Sequence, residues 1–536
     1  RSSERQFIID DIIQRMLAEA AGDDGKHSIH RIWQKRVEQC MPLHRKERQD
    51  VLHTAVVTFW RRNELVKDDA ADSGACDRPR RFLSRAYRLE DEVLDELEEI
   101  QRYAYAILSD ELLWVSSMPC LIPDESQIPI ARFGESNIGK MKHIYRVGLG
   151  NRYGRSMQVI AGIHYNFSVS DRFWRYLMKI ACSSLEINDF KTSGYLSLIR
   201  NFRRESWLLL YVLGASPAAC HSFTKQLTPK LSYLKSDEET LYSQSGTSLR
   251  MGDLGYQSAA QAKLSINYNN LDEYISDLRR ALDQVYAPYE AIGKKDRNSK
   301  YLQLNTHLLQ IENEFYSVIR PKCVSKSGEP PLHALKSRGV EYVEIRCLDL
   351  NPFLPNGIDK QTIQFLDVFL LYCLLSESPY SCIEEQIDIA FNHDATVYRG
   401  RDSYLKLRKE DALVSIRDWA HQILEKMKPI ANLMDRAHQD IDHSKALNAM
   451  ESRLQESNQT PSAMILEQLR NNNESHQEFG IRMAREHTHY FLKKKPDKTI
   501  IKKYSNLARL SIDEQRKIEE NDKLTFDQYL SDYYDQ

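Results

Sequence analysis

The sequence predicts an α+β fold, with a mixed or antiparallel sheet wrapped by helices and a helical C-terminal region. Three stretches carry that expectation. In Met157–Ser170 (MQVIAGIHYNFSVS), Val159, Ala161, Ile163, Tyr165, Phe167 and Val169 alternate with Gln158, Ile160, Gly162, His164, Asn166 and Ser168. In Val340–Phe353 (VEYVEIRCLDLNPF), Val343, Ile345 and Cys347 alternate with Tyr342, Glu344 and Arg346. After Phe353 nearly everything reads as helix, ending in charged segments such as KKKPDK. Strand side chains alternate between faces, so each strand has an apolar back for a core. The first front holds amides and an imidazole around a glycine, where a solvated strand shows Lys, Glu and Thr. That combination points to a site.

Taken in order, Ile8–Ala21 reads as a helix and Gln49–Val66 as a second, with GDDGKH and DDAADSGACDRPRR as loops. Leu89–Ile107 has apolar residues at helical spacing and acid in its first turn. Ser116–Cys120 (SSMPC) is a turn, and Arg132–Gly154 is glycine-rich and basic with a helical piece around Lys140–Arg146. Ser193–Leu213 is a helix, stopped by Gly214 with Pro217 beyond. Thr247–Tyr256 is a loop, Leu271–Ala287 a helix and Leu302–Lys322 strand-like. Phe365–Ser376, the most apolar run, is too short to span a bilayer and contains Asp367, so it is a buried core helix.

Composition narrows the function. The chain has 536 residues, long enough for one to four domains, with 74 basic against 76 acidic residues and 42% hydrophobic content. That balance gives no bulk electrostatic attraction to nucleic acid or to an anionic membrane. Nine cysteines are scattered without a CxxC, and Cys182, Cys347 and Cys373 lie in apolar runs. Reduced thiols and a cytoplasmic location are expected. The opening RSSERQ has neither a starting Met nor a signal-peptide apolar region, which suggests an upstream start or a trimmed chain.

Glu344 and Arg346 stand on one strand face about 7 Å apart by strand rise. A carboxylate and a guanidinium so placed suit a metal and a phosphate side by side. His164, flanked by Gln158 and Asn166, adds a metal ligand beside amides able to bind carboxylate or amine groups. Each has a plainer alternative, a structural salt bridge for the first pair and a satisfied core histidine for the second. REHTHY (Arg485–Tyr490) carries two histidines at i, i+2, which point apart on a helix, so a solvated face is the better reading than a zinc site.

Together, GLGNRYGRSMQVIAGIHYNFS, IRNFRRESWLLLYVLGASPA, TSLRMGDLGY, LQIENEFYSVIRPK and GVEYVEIRCLDLNPF resemble, in order, the proteobacterial type of glutamate–cysteine ligase. The resemblance covers Leu89–Glu377 and implies a curved, mostly antiparallel sheet of glutamine-synthetase-like type. It divides the chain into 1–88, a catalytic core at 89–380 and a helical region at 381–536. It implies an ATP- and Mg²⁺-dependent cytoplasmic ligase for the first step of glutathione synthesis. ATP would phosphorylate the γ-carboxylate of glutamate, and the amine of cysteine would attack the acyl phosphate. On the same resemblance His164 and Glu344 are metal ligands, Arg346 contacts the transferring phosphoryl group, and Arg250 holds a substrate carboxylate or phosphate. Gln158 and Asn166 orient glutamate, Tyr145, Tyr256 and Tyr316 build the cysteine pocket, and Arg146 and Glu312 lie in the same blocks.

The chain departs from that pattern before Leu89. The family's Gly-(Leu/Ile)-Glu-(Arg/Lys)-Glu strand and its Thr-Thr-Asp segment with a following Glu, which complete the magnesium sites, are not found in residues 1–88. A reading-frame slip is one explanation. Codons for Asp77–Tyr87, read one nucleotide later, can spell Thr-Asp, six residues, then Glu-Leu-Ile or Glu-Leu-Thr. Three functions follow: the ligase, impaired by this loss; a ligase of the same family joining glutamate to another amine; or a non-catalytic relative that binds glutamate or ATP.

Overall fold

The computed structural model describes the backbone of 30–34 and 57–62, and residues 90–536 apart from 109–110, 121, 123, 225–230, 234–238, 256–259, 262–263, 326–327, 439–440 and 495. The Ile8–Ala21 helix expected from sequence and the acid-poor stretch around Asp77–Tyr87 lie outside the described residues.

The main sheet has five strands: β1 (His30–Gln34), β2 (Val57–Arg62), β3 (Ile163–Phe167), β4 (Ile319–Lys322) and β5 (Tyr342–Leu348). Their spatial order is β1-β2-β3-β5-β4. The β2–β3 pair is parallel and the other three pairs are antiparallel. Two further antiparallel sheets stand apart, one of three short strands ordered Ala218–Cys220, Thr240–Tyr242, Ser232–Tyr233, the other the Lys406–Lys409 and Ala412–Ser415 pair.

The alternation in β3 and β5 does what its pattern dictates. Ile163, Tyr165 and Phe167 join Val343, Ile345 and Cys347 in one apolar core, all 3% exposed or less. Helices Ile187–Glu205, Trp207–Leu213 and Lys360–Leu375 close over that side of the sheet. The Lys360–Leu375 helix is the expected core helix, and its Asp367 is fully buried. The hydroxyl of Tyr165 donates to Asp367 Oδ1 at 2.5 Å, so one oxygen of the acid is met from the back of β3. Among the described residues, no helix is long and apolar enough to cross a membrane.

Several boundaries move. Val57–Arg62 is a strand, not part of a helix; VTFWRR has the β-branched and aromatic content of a strand, and that outweighs its weak helical spacing. β3 begins only at Ile163, because Ser156–Val159 turns as a 3₁₀ helix and takes Gln158 off the strand. Leu302–Lys322 narrows to the four-residue β4, with a 3₁₀ turn at Glu312–Glu314 before it. The helical piece around Lys140–Arg146 extends over Asn137–Tyr153, started by Ser136, whose hydroxyl accepts from Gly139 N.

The cysteine expectation is corrected too. Cys120 and Cys220 form a disulfide, with Cα atoms 5.4 Å apart and a sequence separation of 100. Spacing that long carries no signal; only the docking of the SSMPC turn against the Ala218–Cys220 strand brings the two together. Cys182, Cys323, Cys347, Cys373 and Cys382 are free thiols. On the helix His476–Lys493, His487 is buried and His489 exposed, so the REHTHY histidines do point apart.

Candidate active site

The polar front of β3 and β5 is organised by a change of register. Ile163 pairs with Leu348 but Tyr165 pairs with Ile345, so Arg346 and Cys347 together face the single residue His164. Such a bulge re-aims side chains next to a site. Here it sets His164 Nδ1 2.9 Å from Glu344 Oε1, with Arg346 Nη1 3.9 Å from Glu344 Oε2. From the edge strand β4, Lys322 Nζ reaches 2.9 Å from Glu344 Oε2. The register also lines up Asn166, Glu344 and Arg320 as one row across three strands.

This crowding sets the charges. Burial alone would raise the Glu344 carboxyl, but Lys322, then His164 and Arg346, hold it well below the usual carboxylate range. Burial, aided by the Arg346 charge, lowers His164 to about 4 against the opposing pull of Glu344, so its imidazole is neutral at pH 7. Burial likewise lowers Lys322, and it lowers Arg320 to about 10 with help from Arg346.

Beside this row lies a cavity of about 110 Å³ lined by His164, Arg250, Tyr316 and Arg346, with Gly162, Met251, Ser317, Val318 and His393. Four residues singled out from sequence, separated by up to 182 positions in the chain (His164 to Arg346), therefore open onto one space. Arg250 enters from the Leu249–Met251 turn and is 1% exposed. Its Nε donates to Asp349 Oδ1 at 2.7 Å. The same carboxylate accepts from Ser248 Oγ at 3.0 Å, Ser216 Oγ at 2.7 Å and Ala215 N at 2.8 Å. Gly162 makes room for the guanidinium, since a Cβ there would lie 2.7 Å from Arg250 Nη1 and 2.8 Å from its Cζ.

Other sequence candidates sit around this centre. Asn166 is 1% exposed on β3, and its Oδ1 has no hydrogen-bond partner among the described residues. Gln158 is half-buried, and its Nε2 donates to Arg146 O at 3.0 Å, so it ties to the helix Asn137–Tyr153 and does not line the cavity. The Arg146 guanidinium lies over the Phe133 ring, 5.5 Å from its centroid. Tyr145 packs with Met141, Leu304 and Ile311, and burial raises its phenol. Glu312 accepts from Tyr533 Oη at 3.2 Å. Tyr256 lies outside the described residues.

Residue-type reasoning missed Asp349, His393, Arg320 and Lys322. Asp349 follows β5 by one residue and had a signal, an acid two residues beyond an apolar Cys347 in an otherwise apolar strand end. His393 comes from the helix Ile383–Arg399, where nothing in the local pattern sets it apart; its Nε2 lies 2.9 Å from Met251 O.

The donor set does not make a Mg²⁺ site by itself. The five strands of the sheet contain a single carboxylate, Glu344, and it already meets a lysine. Mg²⁺ takes six near-octahedral ligands, mostly oxygen. Among the described residues, no third His, Cys, Asp or Glu completes a group with His164 and Glu344 whose donor atoms all lie within 4.8 Å of one another.

The family model for glutamate–cysteine ligase matches residues 81–396. A glutamate–cysteine ligase of Pseudomonas fluorescens is 45% identical over 471 residues, 88% of this chain and 87% of that protein. One from Alcanivorax borkumensis is 46% identical over 448 residues, 82% of this chain and 84% of that protein. The crystal structure of a Francisella tularensis glutamate–cysteine ligase in complex with AMP superposes with a TM-score of 0.78 at 34% identity, covering 84% of this chain and 88% of that one. With the matching block reaching from before the first described helix to beyond His393, the chain belongs to the glutamate–cysteine ligase family.

Proposed function

We propose that the cavity lined by His164 of β3 and Arg346 of β5 is where this ligase activates glutamate. The enzyme is an ATP-dependent ligase that forms γ-glutamylcysteine, the first step of glutathione synthesis. The observation that carries the site is the convergence of His164, Arg250, Tyr316 and Arg346 on one cavity. The reaction makes an acyl phosphate from the γ-carboxylate and the terminal phosphoryl group of ATP, releasing ADP. The cysteine amine then attacks the acyl carbon, a proton leaves the nitrogen and phosphate departs. Both halves accumulate negative charge on phosphoryl oxygens, and fixed cations in a site shielded from water stabilise it.

Arg346 is placed for that work, on the cavity wall with one edge toward Glu344 and a planar fork suited to phosphoryl oxygens. Arg250, held by Asp349, presents a pre-oriented guanidinium to a substrate carboxylate. The Oδ1 of Asn166, without a hydrogen-bond partner among the described residues, suits the α-ammonium of glutamate. Tyr316 forms a wall against the incoming thiol amino acid, with Tyr145 and Tyr256 assigned to the same pocket. Gln158 acts one step back, through the helix that carries Arg146. His164 and Glu344 offer two donors toward a metal, and among the described residues no third His, Cys, Asp or Glu joins them within 4.8 Å. The catalytic core runs over 89–380, the helical region over 381–536 contributes His393, and the sheet is of the curved glutamine-synthetase-like type.

The test is Arg346→Ala, followed by ADP release with ATP, glutamate and a panel of amines. Ligation to cysteine falls by orders of magnitude while the melting temperature holds within a few degrees. Unchanged turnover removes Arg346 from the site, and faster turnover of wild type with another amine reassigns the acceptor.

A further inference from the structure

Away from the cavity, three side chains from distant parts of the chain meet: Cys120 in the SSMPC turn, Cys220 at the end of the Ala218–Cys220 strand, and His476, the first residue of the helix His476–Lys493. They are 8%, 6% and 3% exposed. His476 Nδ1 lies 3.2 Å from Cys120 Sγ and 3.8 Å from Cys220 Sγ, and one donor atom from each of the three falls within 4.8 Å of the others. The two cysteines are joined as a disulfide, yet a disulfide needs no imidazole beside it, and sulfur is a weak acceptor. The surroundings keep the ring there. His476 N donates to Thr240 Oγ1 at 2.9 Å, and the Trp114 ring meets the imidazole edge-on with centroids 5.9 Å apart. Trp114 Nε1 in turn donates to Met118 O at 2.8 Å, within the turn that carries Cys120.

Two thiolates and an imidazole are a donor set for a thiophilic cation such as Zn²⁺. With Zn–S of about 2.3 Å and Zn–N of about 2.0 Å, tetrahedral geometry puts sulfur and nitrogen about 3.5 Å apart and the two sulfurs about 3.8 Å apart. The two nitrogen–sulfur distances straddle the first value, so it is the sulfurs that must part. We propose that, once the Cys120–Cys220 bridge is reduced, Cys120, Cys220 and His476 hold one Zn²⁺, with a fourth position for water. Two small thiols supply the two electrons and two protons that open the bridge and leave as their own disulfide; the metal then displaces the two thiol protons. The place gives the metal work to do. In the SSMPC turn, Ser117 O accepts from Ala161 N at 3.0 Å and Ser117 Oγ from Leu350 N at 2.8 Å. Just ahead of the Ala218–Cys220 strand, Ala215 N and Ser216 Oγ hold the Asp349 carboxylate. Under reducing conditions the metal replaces the bridge in joining these two segments behind Arg250.

The full chain, oxidised or reduced with a phosphine under argon and then freed of it, is loaded with Zn²⁺ and counted by elemental analysis, with Co²⁺ as the spectroscopic probe. Reduced wild type takes up one more Zn²⁺ than the oxidised protein, gives a thiolate-to-cobalt charge-transfer band with Co²⁺, and melts at a higher temperature with Zn²⁺ than without. His476→Ala weakens the additional Zn²⁺ roughly a hundredfold, the loss of one ligand of three. The Cys120→Ser/Cys220→Ser double variant loses the additional metal and the band, although Cys182 and Cys382 remain exposed in it. Equal Zn²⁺ content in oxidised and reduced wild type, which needs no variant to fold, overturns the site. So does a double variant that keeps the additional metal, or an unchanged Zn²⁺ affinity in His476→Ala. None of these readouts depends on turnover, so they leave the assignment of the glutamate cavity to its own test.

Discussion

The Arg250–Asp349 pair offers the sharpest test of how the site is held. Both side chains are buried, at 2% and 0% exposure, and four donors converge on the carboxylate. Removing one partner of a buried pair costs roughly 3–5 kcal/mol because the other charge stays behind. The two possible removals differ. Arg250→Met leaves Asp349 with the Ala215 amide and the Ser216 and Ser248 hydroxyls, and hydrogen bonds to a charged group are each worth about 1.5–3 kcal/mol. Asp349→Asn leaves the Arg250 guanidinium without its carboxylate and turns an amide NH₂ toward some of those donors. Asp349→Asn should therefore cost the full 3–5 kcal/mol and Arg250→Met clearly less, read from urea midpoints at constant m-value. Both should lower kcat/KM for glutamate by about a hundredfold, as displacement of a positioning group does. Equal stability losses, or an Asp349→Asn enzyme within about 1 kcal/mol of wild type with normal glutamate kinetics, would refute the reasoning.

Gly162→Ala drives a methyl group against the Arg250 guanidinium; activity should fall about as far as in Arg250→Met with a smaller stability loss, checked by paired melts and initial rates. Because His164 titrates near 4 in the folded protein and near 6.5 when unfolded, its contribution is complete above pH 6.5 and is lost as pH falls toward 4. That slope amounts to about 3 kcal/mol at most, and His164→Asn should flatten the difference in urea stability between pH 7 and pH 4.5. Reducing the Cys120–Cys220 bond opens a loop of 100 residues and should lower stability by up to about 4–5 kcal/mol, seen as a lower melting temperature in dithiothreitol that Cys120→Ser reproduces without reductant.

How much of this was legible in the sequence depends on the range of the interaction. Alternation reads a strand's faces from neighbours two apart, and it placed Tyr165, Phe167, Val343 and Ile345 in the core and His164, Asn166, Glu344 and Arg346 on the front. The Lys360–Leu375 helix was equally plain, because an apolar run with one acid has few other folds. Failures came where tertiary context overrides local pattern. VTFWRR becomes a strand by pairing with β3, and Leu302–Lys322 keeps its extended form only where β5 offers a partner. The disulfide joins residues that only docking brings together.

The same logic separates the visible half of the site from the hidden half. Period two says that Glu344 faces the front but is silent on what stands opposite; the opposite residue is fixed by register, and register depends on the loops between strands. Arg320 reads in isolation as one basic residue in IRPK, and becomes the far end of a charged row only because the β4–β5 pairing sets it against Glu344. A shift of one residue would bring Ile319 or Pro321 there and leave Glu344 beside an apolar neighbour. The extra residue in β5 opposite His164 is invisible for the same reason, and it falls where the imidazole and the Arg346 guanidinium open onto one cavity. Deleting Cys347 would restore regular pairing with Arg346 directly opposite His164, and a folded protein that kept its ligase activity after that deletion would show that the bulge does not build the site.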